Sequence, residues 1–231
     1  MVSVIILAAG SSARMEGINK QLEKIGDTPV FIMSSLKFER LEKVGEIIIA
    51  APEDETSRYE KIASNFGVTK LAGVVAGGDT RFKSVKNALK AVSSKADYIA
   101  IHDGARPLIE QEDIERVIAD AEKYNAAVAA IPATDTVKAV ASNGFIESTP
   151  PRAKLYYAQT PQVFQKKLYL ACLEKVGQRA EQVTDDSSIL ELAGEYVKIT
   201  EMKGTNLKIT HPDDLVAAEA IYNNRRTVKI I

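Results

Sequence analysis

Near-continuous apolar runs of strand length punctuate the first half of the chain, at residues 4–7, 47–51, 98–101 and 127–131. None shows the two-residue alternation of a sheet with one wet face, so each is expected as a strand buried on both sides of a parallel sheet. Between them the spacing turns helical. Tyr59, Ile62, Ala63 and Phe66 share a face at a 3.6-residue period, and so do Ile114, Val117, Ile118, Ala121 and Tyr124. Repeated strand-helix-strand order predicts an α/β fold: a Rossmann-like, doubly wound, mostly parallel sheet, with ligand sites at the carboxyl ends of its strands.

From 135 to 159 the pattern changes. Thr136, Val137 and Val140, then Ser142, Asn143 and Gly144, then Phe145 and Ile146 read as two short strands around an Asn-Gly turn. Such a β-arm has too little core to stand alone, so a second copy of the chain is the expected packing surface, giving a homodimer. Beyond it, helices are expected near 166–175 and 185–192, a strand near 197–202, and a final helix. That last helix starts with Thr210 and Asp213 as a Ser/Thr-x-x-acid cap, has Pro212 in its first turn, and presents Leu215, Ala218 and Tyr222 on one face. A frayed tail is expected after Asn223. With no internal repeat or linker, the chain reads as one domain over 1–231, with 135–159 as an arm subdomain.

Composition narrows the function classes. At 231 residues, with 45% hydrophobic and 26% charged side chains, the chain is a folded soluble protein of one large domain or two small ones. Thirty Lys and Arg against 31 Asp and Glu leave a net charge of -1, which gives no electrostatic footprint for nucleic acid or an anionic membrane. Any anionic ligand must be held locally. A single cysteine, Cys172, fits a reducing compartment. Residues 2–13 lack the basic leader of a signal peptide and are too short to cross a bilayer, so they are read as a strand plus a loop, and a cytoplasmic location is expected.

Three segments carry candidate chemistry. Leu7-Ala8-Ala9-Gly10-Ser11-Ser12-Ala13-Arg14-Met15 follows the first strand. Its small residues let the backbone approach a ligand and form an anion-binding turn, beside which Arg14 and Lys20 add charge. Neither GxxxxGK[ST] nor GxGxxG is present. In Gly77-Gly78-Asp79-Thr80-Arg81-Phe82-Lys83-Ser84, Asp79 is expected to cap a helix whose buried stripe is Phe82, Val85, Leu89 and Val92. Arg81 and Ser84 then share a flank beside a cleft, although Arg81 in isolation reads equally well as a surface cation. In His102-Asp103-Gly104-Ala105-Arg106-Pro107, a carboxylate buried at a strand end needs a cation, and Arg106 is three residues away. The pair would hold the loop, a ligand, or both. His102 is assigned no catalytic role. Arg152 by default is a solvated charge, and Lys208 in its strand-like run marks a sheet edge.

Taken together, LAAGSSARM, Lys20-Gln21, GGDTRFKSV, HDGARP, Asp135-Thr136, QTPQVF, Thr184-Asp185 and NLKIT resemble, in order and spacing, the 2-C-methyl-D-erythritol 4-phosphate cytidylyltransferase family of the non-mevalonate isoprenoid pathway. Two departures stand out: Asn19 where the family usually has proline, and Leu22 where an aromatic residue is frequent. The resemblance implies attack of the acceptor phosphate on the α-phosphorus of CTP, with pyrophosphate released. It implies that Arg14 and Lys20 stabilise the transition state and that Arg152 and Lys208 position the acceptor phosphate. Ala8, Ala9, Gly10, Gly78, Asp79, Ser84 and Gly104 would face the nucleoside, with Arg81 at the same pocket, while Asp103, Arg106, Thr136 and Thr160 would border the acceptor. Thr136 and Arg152 would act across the homodimer, and Mg2+ would be carried mainly by the CTP phosphates, with no firm protein ligand. A ribitol 5-phosphate cytidylyltransferase and a non-catalytic nucleotide-binding regulator of the same fold are the alternative readings.

Overall fold

The structure is a computed structural model that describes residues 1–10, 15 and 17–228. In chain order it contains β1 (Val2–Leu7), β2 (Lys24–Ile25), β3 (Thr28–Pro29), α1 (Val30–Glu39), β4 (Val44–Ala51), α2 (Thr56–Asn65), β5 (Leu71–Ala76), α3 (Arg81–Leu89) and β6 (Tyr98–Asp103). There follow α4 (Gln111–Tyr124), β7 (Ala126–Pro132), β8 (Ala139–Val140), β9 (Ile146–Ser148), β10 (Tyr156–Gln165), α5 (Lys166–Val176), α6 (Ser187–Ala193), β11 (Lys198–Glu201) and α7 (Pro212–Val228).

Among the described residues the main sheet runs β11-β7-β10-β6-β1-β4-β5. β1 pairs in parallel with both β4 and β6, β4 with β5, and β11 with β7; only β10 runs antiparallel, against β6 and β7. The alternation hidden in the apolar runs is a division between two cores rather than between core and solvent. Val4, Ile6, Ile47 and Ile49 face Phe31, Phe38, Tyr59, Ile114 and Val117 from α1, α2 and α4. Ile5 and Ile48 face the other way, onto Val85, Tyr169, Cys172, Ile189 and Leu190 from α3, α5 and α6. Each of these fully buried isoleucines contributes about 1.5–3 kcal/mol from apolar burial. A third cluster of Met15, Ile25, Val30, Met33, Leu108, Ile209 and Ala218 seats α7 beside the loop that follows β6.

Several expectations need correction. β10 is a core strand: Gln162, Val163 and Phe164 pair with β6 and β7, so Tyr156–Gln159 belong to the sheet and not to the arm. The arm's strands are β8 and β9, and its turn is longer than two residues. The Ala141 N–H donates to the Phe145 carbonyl and the Gly144 N–H to the Ala141 carbonyl, with Gly144 at φ +84°, the left-handed position glycine fills at least cost. Thr80, not Asp79, caps α3 by accepting from the Lys83 N–H, while Asp79 pairs with the Lys83 ammonium. At α7 the reaching carboxylate is Asp214 rather than Asp213, and it accepts from the Thr210 and His211 N–H groups. Helix α7 also continues past Asn223. Arg225 anchors it by donating to the Leu108 and Thr205 carbonyls and pairing with Glu110.

Candidate active site

The loops after β1, β5 and β6 meet at the carboxyl edge of the sheet around a cleft of about 350 Å3. Gly10, Lys20, Gly78, Asp79, Arg81, Ser84, Asp103 and Lys208 are among its lining residues. Two of these loops touch. A Cβ on Gly77 would lie 2.2 Å from the Ala9 Cβ, so only glycine lets the β5 loop close onto the β1 loop. The Gly78 N–H donates to Ser84 Oγ at 2.9 Å, and Ser84 Oγ donates to the Thr80 carbonyl at 3.0 Å. These bonds hold the glycine loop open against the start of α3. Ala8 is buried behind the cleft, and Gly104 packs where a Cβ would meet Gln21 Oε1 at 2.8 Å.

Lys20 is carried by a turn that Asn19 organises. The Asn19 carbonyl accepts from the Leu22 N–H at 2.9 Å, its side-chain oxygen accepts from the Gln21 N–H at 3.2 Å, and its amide donates to the buried Tyr59 hydroxyl at 3.3 Å. Side-chain hydrogen bonding thus supplies the local order that proline supplies by ring closure. Burial pushes the Tyr59 phenol up to about 12 despite the Asn19 bond, so it stays a neutral partner.

Asp103, at the end of β6, is the electrostatic centre of the cleft. Its carboxylate accepts from Lys208 at 2.9 Å and from Arg106 at 3.4 Å, with Arg81 at 3.7 Å. Burial alone would raise its pKa, but Lys208, Arg81 and Arg106 outweigh it and hold the carboxyl well below the usual range. Arg81 is no surface cation: it also pairs with Asp186, itself 2% exposed. Burial opposes the Arg81 charge, and Asp186 and Asp103 more than restore it. Lys208 marks no sheet edge, because residues 202–210 form no strand. Arg106 is committed to the loop, donating to the Asn206 carbonyl at 2.8 Å, and Asn206 in turn donates to the Thr160 carbonyl at 2.9 Å.

His102 supports this centre from behind. Thr160 Oγ1 accepts from the Asp103 N–H at 3.0 Å, so its own proton is free to go to His102 Nδ1 at 3.1 Å. His102 Nε2 then donates to the Arg106 carbonyl at 3.2 Å. Both ring nitrogens are occupied by the scaffold. Burial, opposed by Asp103, pushes the imidazole down to about 4. The unfolded chain takes up this proton below about 6.5 whereas the native state refuses it until about 4, so stability drops as pH falls through that window, by about 3 kcal/mol in all. Urea unfolding of wild type and His102→Gln between pH 7 and 4 checks this. The variant should lack that part of the slope, and equal slopes would show that His102 is not the group responsible.

The structure brings Ala9, Gly10, Lys20, Gly78, Asp79, Arg81, Ser84, Asp103 and Lys208 together, and sets Arg106 and Thr160 behind Asp103 as supports. Arg14 lies outside the described residues, as do Ser11, Ser12 and Ala13. Thr136 and Arg152 are exposed beside the arm and are not among the cleft's lining residues; Arg152 donates to the Thr134 carbonyl at 2.8 Å. Sequence reasoning missed Asp186 and Tyr169. The only signal was a second carboxylate after Asp185, and nothing local tells which of the two points inward.

The sequence profile described as 2-C-methyl-D-erythritol 4-phosphate cytidylyltransferase matches residues 2–224. A relative of that name from Syntrophus aciditrophicus is 39% identical over 221 residues, covering 95% of this chain and 94% of its own. Another from Alkaliphilus oremlandii is 40% identical over 226 residues, covering 97% and 96%. The crystal structure of 4-diphosphocytidyl-2C-methyl-D-erythritol synthase from Anaerococcus prevotii aligns with a TM-score of 0.84 at 30% identity, over 96% of this chain and 98% of that one. With matches that span almost its full length in both sequence and fold, the chain belongs to the 2-C-methyl-D-erythritol 4-phosphate cytidylyltransferase family.

Proposed function

We propose that the protein joins CTP and 2-C-methyl-D-erythritol 4-phosphate, giving 4-diphosphocytidyl-2-C-methyl-D-erythritol and pyrophosphate, and so serves isoprenoid precursor synthesis. The observation that carries this reading is the gathering of Lys20, Arg81 and Lys208 around one cleft, with the buried His102 occupied on both nitrogens. The nucleophile is a phosphate monoester with a second pKa of about 6, already largely dianionic at neutral pH, so no base is required. The work is to align two mutually repelling anions and to stabilise charge as it moves onto the transferring group and leaving pyrophosphate. Lys20, beside the glycine turn, follows the nucleotide phosphates, with Arg14 as its partner. Lys208 holds Asp103 in the free protein, and the acceptor phosphate competes with that carboxylate for its ammonium.

Magnesium fits as an ion that arrives with the triphosphate. Of the two carboxylates that line the cleft among the described residues, Asp103 is engaged by Lys208, Arg106 and Arg81 and Asp79 by Lys83, so phosphate oxygens and water would hold the metal. Bound there, it would neutralise charge between the triphosphate oxygens.

The arm supports a homodimer. Val140, Phe145 and Ile146 are exposed on it, Phe145 at 74%, and Tyr156 and Tyr157 continue the apolar surface onto β10. In a pair, Thr136 and Arg152 of one copy would reach the acceptor phosphate in the other. No helix among the described residues is long and apolar enough to cross a membrane, and the cytoplasm is the proposed location.

Pyrophosphate release from CTP with methylerythritol phosphate, run in parallel with ribitol 5-phosphate and with the other nucleoside triphosphates, tests the reading. Turnover should favour the first acceptor and CTP. Preference for ribitol phosphate would reassign the enzyme, and CTP binding without pyrophosphate release would make it a regulator. Arg152→Ala should raise the KM for the acceptor roughly tenfold or more, as loss of a charge-assisted phosphate contact does. An unchanged value would remove the arm from the site.

A further inference from the structure

We propose that Tyr169, on α5 behind the sheet, is a positioning residue for nucleotide binding that acts through Asp186 on Arg81. Asp186 is fixed on three sides: its N–H donates to Gln162 Oε1 at 3.0 Å, its Oδ1 accepts from the Tyr169 hydroxyl at 2.8 Å, and its Oδ2 accepts from Arg81 Nη1. Without the phenol, that buried carboxylate oxygen has no hydrogen-bond donor among the described residues, and the carboxylate can rotate away from the guanidinium. Tyr169 is itself fully buried and its ring stacks on Phe164, with centroids 5.0 Å apart. Burial and Asp186 keep the phenol protonated, hence always a donor. Arg81, held between Asp186 and Asp103, forms part of the cleft wall, and its Nη2 is buried without a hydrogen-bond partner among the described residues. A guanidinium with two of its nitrogens directed by carboxylates has its third direction set as well. The chain Tyr169, Asp186, Arg81, Asp103 therefore connects a helix of the second core to the nucleotide side of the cleft.

The inference rests on the CTP reading above, and the two fail differently. If wild type binds no CTP, that reading falls. If wild type binds CTP and Tyr169→Phe binds it equally well, the inference alone falls. Calorimetric Kd for CTP with Mg2+ is the measurement, on Tyr169→Phe, Arg81→Lys, the double variant and Cys172→Ala. Tyr169→Phe retains the stacked ring and should weaken CTP roughly tenfold, the scale of one hydrogen bond to a charged group. Acceptor KM should stay near wild type. In the Arg81→Lys background the same change should add little, because the geometry it maintains is already lost. Cys172→Ala, one turn along the same buried helix face, should lower Tm without changing the Kd. An additive cycle, or equal weakening from Cys172→Ala, would mean a merely structural role and overturn the inference.

Discussion

Lys20→Ala is expected to lower kcat on the order of a hundredfold, with smaller changes in the KM for either substrate, as when a group acts on charge that develops in the transition state. The expectation comes from where Lys20 sits. It lines the cleft beside Gly10 and Asp103, on a turn that Asn19 ties to Tyr59, so the ammonium is presented from an ordered segment. A cation that bound the ground state equally well would raise KM instead and leave kcat alone. Steady-state kinetics at saturating CTP separates the two outcomes, and wild-type turnover in Lys20→Ala would contradict the assignment. Lys20→Arg should recover only part of the rate, since a planar fork does not replace a point charge.

Asp103→Asn should cost both stability and activity. Three cations converge on this carboxylate, two of them largely buried. Removing the anion leaves them mutually repelling, which for a buried cluster costs about 3 kcal/mol. In a chain of this size that is a fall in Tm of roughly 6–12 °C. The pH dependence fixes the sign. Asp103 ionises well below the free carboxylate, so its contribution is complete above about pH 4 and is lost as pH falls further. The deficit of the variant should therefore be full at pH 7 and shrink below pH 4. Catalysis should fall at least tenfold in kcat/KM, because Lys208 and Arg81 lose the group that aims them. Calorimetry at pH 7 and pH 3.5 is the check, and a variant as stable as wild type at neutral pH would show that the cluster carries no net stabilisation.

The elements most readable in the sequence were those with an unbroken apolar run or stripe, whatever functional side chains they also carry. β1, β4, β6 and β7 are apolar on both faces because two cores flank them, and α2, α3 and α4 each bury one stripe. α1 escaped notice because it is buried almost all round, with Ser34 and Ser35 inside and bonded to carbonyls, so it shows little contrast between faces. β5 escaped because it is a partly exposed edge strand of one leucine followed by alanine, glycine and valine. β10 was missed for a more informative reason. Its central Thr160 and Gln162 are polar, which argues against a core strand, yet their side chains bond Asp103, His102 and Asp186. The polarity that concealed the strand is what builds the site. The charged residues of the cleft were readable as types at strand ends. Their division into Lys208 and Arg81 at the surface of the cleft and Arg106 behind it required the three-dimensional arrangement.

β10 has a mechanical implication for the arm it follows. Its ten residues lead from exposed tyrosines to Phe164 in the core, paired with β7 on either side of a register shift between Ala158 and Gln162 and with β6 only from Gln162 onward. Residues 149–155, which form no strand, join the hairpin's return to β10, and Thr160, whose hydroxyl accepts from the Asp103 amide, lies where the β10 register shifts. A pull on the hairpin from outside is therefore passed through that connector before it reaches the paired strand, so the arm can shift against a second copy while the backbone at Asp103 keeps its place.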